Sequence, residues 1–224
     1  MPTILLIRHA QASYGAATYD VLSELGRRQA LVLDAALAER RVEPAIVVSG
    51  PARRHRDTAR LCERTVTPAE LVEDARWDEY DTDRVLARHS STPVRLEGTS
   101  DSGGLSSQEF QVFLDAALDG WLRESDSSPQ SWPGYMGRVA TALDELGAGL
   151  ERGQTALVFT SAGTIAAACC AVLALPPASF TALNRVQVNT GITKVIRGSR
   201  GTSLISFNGH SHLEEADRFL VTYR

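Results

Sequence analysis

Close to the N-terminus the chain reads Ile4-Leu5-Leu6-Ile7-Arg8-His9-Ala10-Gln11. The apolar half of this stretch predicts a short buried strand, which runs directly into an arginine and a histidine. Neither of these side chains favours full burial, so the pair is poorly suited to a core. Open α/β sheets place their ligand crevice at the carboxyl ends of parallel strands, where such a pair is useful. Alternatively, Arg8 and His9 only end the strand in solvent, and the stretch alone does not decide between the two interpretations.

Composition restricts the class of protein. The 224 residues, 43% hydrophobic and 22% charged, are typical of a soluble globular protein of one domain. A net charge of -4 gives no general attraction to nucleic acid or acidic membranes, so we expect neither as a partner, and an anion site must be local. The three cysteines, two of them adjacent, form neither a disulfide framework nor a zinc motif. The start of the chain lacks the features of a signal peptide, and the longest apolar run is too short to span a bilayer, so we expect a cytoplasmic protein.

Strand and helix patterns alternate along the chain. Ser23 is placed to cap a helix, a buried strand follows at 45–49, and Gly50-Pro51 is expected to open the next helix at the proline. A further buried strand is predicted at 155–160, and a β-hairpin at 192–207. We therefore predict an α/β fold of three layers, in which helices flank a mixed, mainly parallel sheet.

Arginines cluster in the helix that follows the second strand, at positions 53, 54, 56 and 60. The simple interpretation is a solvated basic helix face. The alternative is that one of them lies at the helix start, where backbone N–H groups and the helix dipole favour an anion. That arginine would meet Arg8 if the two strands were neighbours. Two guanidinium groups beside His9 suit a phosphoryl group, which they bind in bidentate fashion.

Three motifs at these spacings resemble the histidine phosphatase superfamily, also called phosphoglycerate mutase-like. They are Arg8-His9-Ala10, similar to the family's Arg-His-Gly; Leu22-Ser23-x-Leu25-Gly26-x-x-Gln29-Ala30; and Ser49-Gly50-Pro51-x-x-Arg54-x-x-x-Thr58-Ala59. The resemblance covers nearly the whole chain. It implies that His9 is the nucleophile, that Arg8 and Arg54 bind the phosphoryl group, and that no metal or other cofactor is needed. Gln11 and the backbone amides around Ala162 are expected to add neutral donors.

The acidic, aromatic segment at 75–81 has two interpretations. It is either a solvated acidic loop or, by the resemblance, the source of a general acid that protonates the leaving oxygen. The position matches Glu79, with Asp78 and Asp81 as weaker candidates. Desolvation by Trp77 and Tyr80 would raise the pKa of this carboxyl, as a general acid requires.

The turn Ser161-Ala162-Gly163-Thr164 departs from the family pattern Ser-His-Gly-Gly. Aligning the preceding strand and the glycine puts Ser161 in the place of a second histidine that contacts the phosphate. A hydroxyl donates one hydrogen bond but brings no positive charge. We therefore expect a slow enzyme, and we expect turnover to rise when a histidine is restored at position 161.

Residues 90–107 are rich in Ser, Thr and Gly and predict a loop over the site. Ser106 and Glu109 make a capping box for a helix, and helical patterns continue to about residue 150. We expect one domain over 1–224 with a helical, cap-like insertion around 90–150. Near the end of the chain, His210 and His212 would share one face if the last strand continued through them. A structural role near the site is favoured over a metal pair, because no third ligand is close in sequence.

Three functions remain at this point. The leading one is metal-independent hydrolysis of phosphate monoesters through a phosphohistidine, with a small phosphorylated molecule or a phosphoprotein as substrate. A phosphoglycerate mutase-type phosphotransferase is the alternative within the enzyme class, although the Trp-Asn that commonly follows the mutases' Arg-His-Gly is absent after Ala10. A phosphate-ester binding protein without turnover is the alternative outside it. The sequence indicates neither the substrate nor the oligomeric state.

Overall fold

A computed structural model describes residues 1–13, 20–66, 69–89 and 107–223. The strands are β1 (Thr3–Arg8), β2 (Pro44–Ser49), β3 (Leu71–Glu73), β4 (Thr155–Thr160), β5 (Ile192–Gly198) and β6 (Gly201–Gly209). The α-helices are α1 (Glu24–Glu39), α2 (Arg53–Leu61), α3 (Glu63–Val66), α4 (Thr82–His89), α5 (Ser107–Trp121), α6 (Trp132–Gly149), α7 (Ala162–Leu173), α8 (Ser179–Arg185) and α9 (Ser211–Ala216). Two 3₁₀ turns lie at Ala75–Trp77 and Arg218–Leu220.

The described strands form one sheet in the order β3-β2-β4-β1-β5-β6. The first four run parallel, β5 is antiparallel to β1, and β6 is antiparallel to β5. The prediction of a mixed, mainly parallel sheet is confirmed. The strands β1 and β2 are not neighbours, however, because β4 pairs with both and lies between them. Residues at the ends of β1 and β2 therefore face each other across the end of β4.

Side chains that alternate along each strand pack on opposite faces of the sheet. Ile4 and Leu6 of β1 join a core beneath α6 and α7, whereas Leu5 and Ile7 join a second core beneath α1 and α2. Both faces are covered, which explains why the central strands are continuously apolar. The sheet and its two helical layers form the predicted three-layer architecture.

The helix α1 begins where the sequence predicts it. Ser23 is the N-cap, and its hydroxyl accepts a hydrogen bond from Gly26 N. A Cβ atom at position 26 would lie 2.1 Å from the carbonyl oxygen of Gln11, so only glycine allows this approach. Gln29, fully buried, accepts from Gln11 N and donates to the carbonyl oxygen of Leu220. The contacts of Ser23, Gly26 and Gln29 thus hold in place the segment around Gln11 that follows β1.

The helix α2 begins later than predicted, at Arg53 rather than Pro51. Ala52 has extended backbone angles and acts as the N-cap without a side-chain hydrogen bond. The carboxylate of Asp20 accepts the N–H groups of Arg53 and Arg54 instead, at 2.7 and 3.3 Å. A distant acidic residue therefore caps this helix, which the local sequence does not show.

The helices α5 and α6 continue the packing on one face of the sheet. Trp121 of α5 and Trp132 of α6 pack edge to face, with ring centroids 5.4 Å apart, and both contact Phe180 of α8. The loop predicted at 90–107 falls outside the described residues as far as 106, and so does the predicted cap Ser106. Across the described ranges, no helix combines the length and apolar character needed to cross a membrane.

The last strand does not continue through the two histidines, so the condition under which they would share one face of a strand is not met. The strand β6 ends at Gly209, and His210 caps the short helix α9, which contains His212. His212 is buried, with Nε2 3.2 Å from the hydroxyl of Thr190. Asn208, at φ 53°, accepts from Val188 N and donates to Val186 O. This segment braces the chain that leads into β5.

Candidate active site

Three strand ends meet at one edge of the sheet. His9 N donates to Thr160 O at 2.8 Å, and Gly50 N donates to Phe159 O at 3.0 Å. The segments that follow β1, β4 and β2 therefore leave the sheet side by side. This edge is the crevice that parallel α/β sheets use for ligands.

One nitrogen of the His9 imidazole makes a hydrogen bond to the backbone. Its Nδ1 lies 2.8 Å from the carbonyl oxygen of Ala10, which can only accept, so Nδ1 carries the hydrogen. Nε2 then has a free lone pair. Burial lowers the pKa of His9 well below its ordinary value, and the charges of Arg54 and Arg8 lower it further. The ring is therefore neutral at pH 7 and nucleophilic at Nε2.

Arg54 is the arginine of α2 that faces the site. Its Nη1 contacts Asp20 Oδ1 at 2.7 Å, and its Nη2 lies 3.4 Å from Ser161 Oγ. The hydroxyl of Thr58 donates to Arg54 O and accepts from Ala10 N, which ties the start of α2 to the end of β1. The hydrogen bonds between these residues hold Arg54 beside His9.

The neighbouring arginines point elsewhere. Arg53 pairs with Asp57 on an exposed helix face, and Arg56 pairs with Glu73. Their side chains are 53% and 35% exposed, compared with 15% for Arg54.

Arg8 is buried, and its charge lowers the pKa of His9. Its side chain also binds the backbone of the C-terminal segment. Its Nη1 donates to the carbonyl oxygens of Gln187 and Tyr223. Arg8 therefore joins the C-terminal segment to the strand end.

Glu79 is buried, and desolvation raises its pKa, while Arg54 and three hydrogen-bond donors oppose the rise. Oε1 accepts from Tyr80 N at 3.1 Å and lies 3.2 Å from the hydroxyl of Tyr135. Oε2 accepts from Gly163 N at 3.2 Å. A carboxyl group in this setting holds its proton to higher pH than an exposed one, as a proton donor requires.

Ser161 is the buried N-cap of α7, and its side chain does not cap the helix. Its hydroxyl is 2.6 Å from Nε2 of His55, which is itself fully buried. The ring centroids of His55 and His9 lie 5.6 Å apart. The structure thus brings a second imidazole to the site from α2, in contact with Ser161.

Gln11 and the backbone around Ala162, the two further predicted donors, lie at the edge of the site. Gln11 uses its side-chain carbonyl to accept from Ser23 Oγ at 2.8 Å. Ala162 opens the first turn of α7, and its carbonyl oxygen accepts from Gln187 Nε2. The N–H of the next residue along, Gly163, is directed at Glu79.

Three residues of this site were not predicted from the sequence. In α2 only the arginines are singled out from the sequence, although a lone histidine directly after Arg54 is a signal that could have indicated His55. Asp20 and Tyr135 belong to no motif. Their roles depend on contacts with Arg54 and Glu79, which are 34 and 56 residues away in the chain.

Comparison with known proteins identifies the family of the chain. Residues 4–210 match the model of the histidine phosphatase superfamily (branch 1). No curated protein matches the chain.

Solved structures share the fold. The mycobacterial glucosyl-3-phosphoglycerate phosphatase in complex with inorganic phosphate is 25% identical, with a TM-score of 0.65 over 94% of this chain and 98% of that one. The phosphoserine phosphatase from Entamoeba histolytica, in complex with 3-phosphoglyceric acid, is 20% identical, with a TM-score of 0.65 over 95% of this chain and 100% of that one. YhfR from Bacillus stearothermophilus is 17% identical, with a TM-score of 0.69 over 95% of this chain and 100% of that one.

Proposed function

The chain belongs to the histidine phosphatase superfamily, which makes it a phosphatase by family, and we propose that it hydrolyses phosphate monoesters through a phosphohistidine on His9. The observation that carries this proposal is the state of the His9 ring. The Nδ1–H group of His9 donates to the carbonyl oxygen of Ala10, so Nε2 carries the lone pair. Burial and the charges of Arg54 and Arg8 keep the ring neutral, so Nε2 can attack.

In the first step, Nε2 of His9 attacks phosphorus and the bond from phosphorus to the ester oxygen breaks. The leaving oxygen takes the proton of Glu79, which becomes a carboxylate. Arg54 and Arg8 neutralise the charge on the transferring group, the kind of electrostatic stabilisation that contributes most in a water-poor site. Burial raises the pKa of Glu79, which supports its role as the acid in this step.

In the second step, a water molecule attacks phosphorus and the bond to Nε2 breaks. The Glu79 carboxylate accepts the proton of that water, which returns both residues to their starting states. Splitting the hydrolysis in two replaces one difficult displacement by two easier ones.

Turnover is expected to be slow. Ser161 contributes a neutral hydroxyl, and the carboxylate of Asp20 already engages Arg54. An incoming phosphate must compete with Asp20 for this guanidinium. The substrate is a small phosphorylated molecule or a phosphoprotein; phosphoserine and 3-phosphoglycerate belong in a test panel, because structural neighbours are named for or bound to them.

The direct test is rapid mixing of the protein with a panel of phosphomonoesters, followed by alkaline quench and mass spectrometry. Acid-labile phosphate should appear on His9, and inorganic phosphate should be released. The variant His9→Ala should lose both, whereas His89→Ala, which removes a histidine bound to Glu124 outside the site, should keep both.

Full turnover by His9→Ala would show the mechanism to be wrong. Transfer of the phosphoryl group to an alcohol acceptor in preference to water would identify a mutase-type enzyme. Binding of phosphate esters without any release would identify a binding protein.

A further inference from the structure

The imidazole of His55 is buried beside the proposed phosphate site. Buried polar groups nearly always have hydrogen-bond partners, so the partners of this ring indicate its role. His55 is fully buried, and its Nε2 makes a short contact of 2.6 Å with Ser161 Oγ. The arginines on either side of the 54–55 pair turn outward to Asp57 and Glu73. His55 is thus directed into the site with Arg54, and it is not part of the solvated face of α2.

The hydrogen-bonding capacity of the Ser161 hydroxyl indicates how this contact is arranged. A hydroxyl accepts two hydrogen bonds and donates one. Arg54 Nη2 can only donate, so its 3.4 Å contact uses one acceptor position of Ser161 Oγ. If Nε2 of His55 also donates, both acceptor positions are filled and the hydroxyl hydrogen remains for a third group. If Nε2 accepts instead, that hydrogen is consumed and a lone pair faces the incoming phosphoryl oxygen.

We propose that His55 is a positioning residue for phosphoryl transfer: it donates through Nε2–H to Ser161 Oγ and so directs the hydroxyl hydrogen of Ser161 to a phosphoryl oxygen beside His9. The inference rests on the function proposed above for this site. It assigns to His55 and Ser161 together the hydrogen bond that the missing family histidine would make directly.

The other ring nitrogen of His55 lies beside the backbone of Gly50. Nδ1 is packed against Gly50, where an added Cβ atom would lie 2.5 Å away. Among the described residues, Nδ1 makes no hydrogen bond of good geometry, and the nearby Gly50 backbone raises the pKa of the ring by less than burial lowers it. Burial and the charge of Arg54 lower the pKa of His55 to about 3, against smaller opposing effects of Asp20 and the Gly50 backbone. The ring is neutral and has one N–H to donate.

A double-mutant cycle on kcat/KM and on phosphate affinity tests this role. Ser161→Ala and His55→Leu should each lower kcat/KM about 10- to 100-fold, the range for one hydrogen bond to a charged group. The double variant should lose no more than the worse single variant, because both changes remove the same hydrogen bond. His55→Gln, whose amide can still donate to Ser161, should recover part of the loss.

His212→Leu is the matched control. His212 is also a buried histidine in contact with a hydroxyl, that of Thr190, and burial lowers its pKa to about 4. This variant should lower the melting temperature and leave kcat/KM unchanged. Long-range ¹H–¹⁵N spectra should show the Nε2–H tautomer of His55 with inorganic phosphate bound.

The outcomes separate the two proposals. Multiplicative losses in the cycle, no effect of His55→Leu on an active enzyme, or the Nδ1–H tautomer with phosphate bound would overturn the role of His55 and leave the proposed function standing. If the wild type binds phosphate without turnover, the same cycle measured by calorimetry on phosphate affinity decides the role of His55. If the wild type neither binds phosphate nor hydrolyses any ester, both proposals are wrong.

Discussion

Gly163 and Glu79 lie so close together that no side chain fits between them. The backbone N–H of Gly163 donates to Glu79 Oε2 at 3.2 Å. A Cβ atom at position 163 would lie 2.2 Å from Glu79 Oε1 and 2.7 Å from the ring of Tyr80. Glycine is required here for close approach, because the first turn of α7 holds the carboxyl group of Glu79 directly.

Gly163→Ala should therefore displace Glu79 and reduce kcat at least about 10-fold, since a positioned general acid contributes roughly 10²- to 10⁴-fold. The loss should be greater for an alkyl phosphate than for p-nitrophenyl phosphate, whose leaving group needs little protonation. Gly137→Ala is the control, because nothing lies within 4 Å of an added Cβ there. That helix variant should be about 0.5–1 kcal/mol more stable and equally active. Equal activity of both alanine variants on the alkyl phosphate would contradict the role of Glu79.

Tyr135→Phe should move the alkaline limb of the pH–rate profile upward. The hydroxyl of Thr164 donates to Asp78 O, so it can accept from Tyr135, whose single hydrogen is shared between Thr164 and Glu79. Donation to the Glu79 carboxylate favours its charged form and lowers its pKa. Without this donor the pKa of Glu79 rises further, and the protonated acid persists to higher pH.

The shift is upward because the first step requires protonated Glu79, and its rate falls as pH rises through the pKa of that residue. Comparison of kcat/KM profiles for wild type and Tyr135→Phe on one alkyl phosphate cancels the ionisation of the substrate itself. A downward shift, or no shift while activity is retained, would show that Tyr135 does not act on the proton donor.

Arg54→Ala should lower phosphate affinity and kcat/KM by about 100-fold, because a charge-assisted contact to phosphate is lost from a partly buried position. Arg53→Ala and Arg56→Ala should change both by less than about threefold, since exposed ion pairs contribute about 0–1 kcal/mol and these two do not face His9. Isothermal calorimetry with inorganic phosphate and steady-state kinetics measure the three together. Similar losses from all three would indicate a diffuse basic surface.

The expectation that a histidine at position 161 raises turnover changes once His55 is considered. Ser161 is buried 2.6 Å from the ring of His55, so Ser161→His alone should overpack the site, cost about 1–3 kcal/mol of stability and lower activity. The double change His55→Ala with Ser161→His moves the imidazole from position 55 to position 161, where the resemblance to the family predicts it. Its kcat should exceed that of Ser161→His by about 10-fold or more. A stable Ser161→His variant more active than the wild type would show that the site has room for both rings.

The sequence by itself determined the secondary structure around the site and indicated the candidate residues at its centre. An apolar run, a serine cap and a glycine-proline turn are local patterns, so β1, α1 and the approximate start of α2 follow from neighbouring residues alone. The motifs around His9 and Arg54 are compact enough to be recognised, and the match over residues 4–210 confirms the family to which they point. The acid candidate Glu79 was selected in the same way, and burial raises its pKa as predicted.

Only the tertiary structure decided which groups complete the site. The strand β4 separates β1 from β2, so Arg54 meets His9 across the end of a third strand. His55 meets Ser161 over 106 positions of the chain, and Tyr135 meets Glu79 over 56. Periodicity and caps report on residues within about one helical turn, and contacts over such distances leave no local pattern. They arise when the sheet and its helical layers pack, because packing decides which side chains share a buried space and which of them must share its hydrogen bonds.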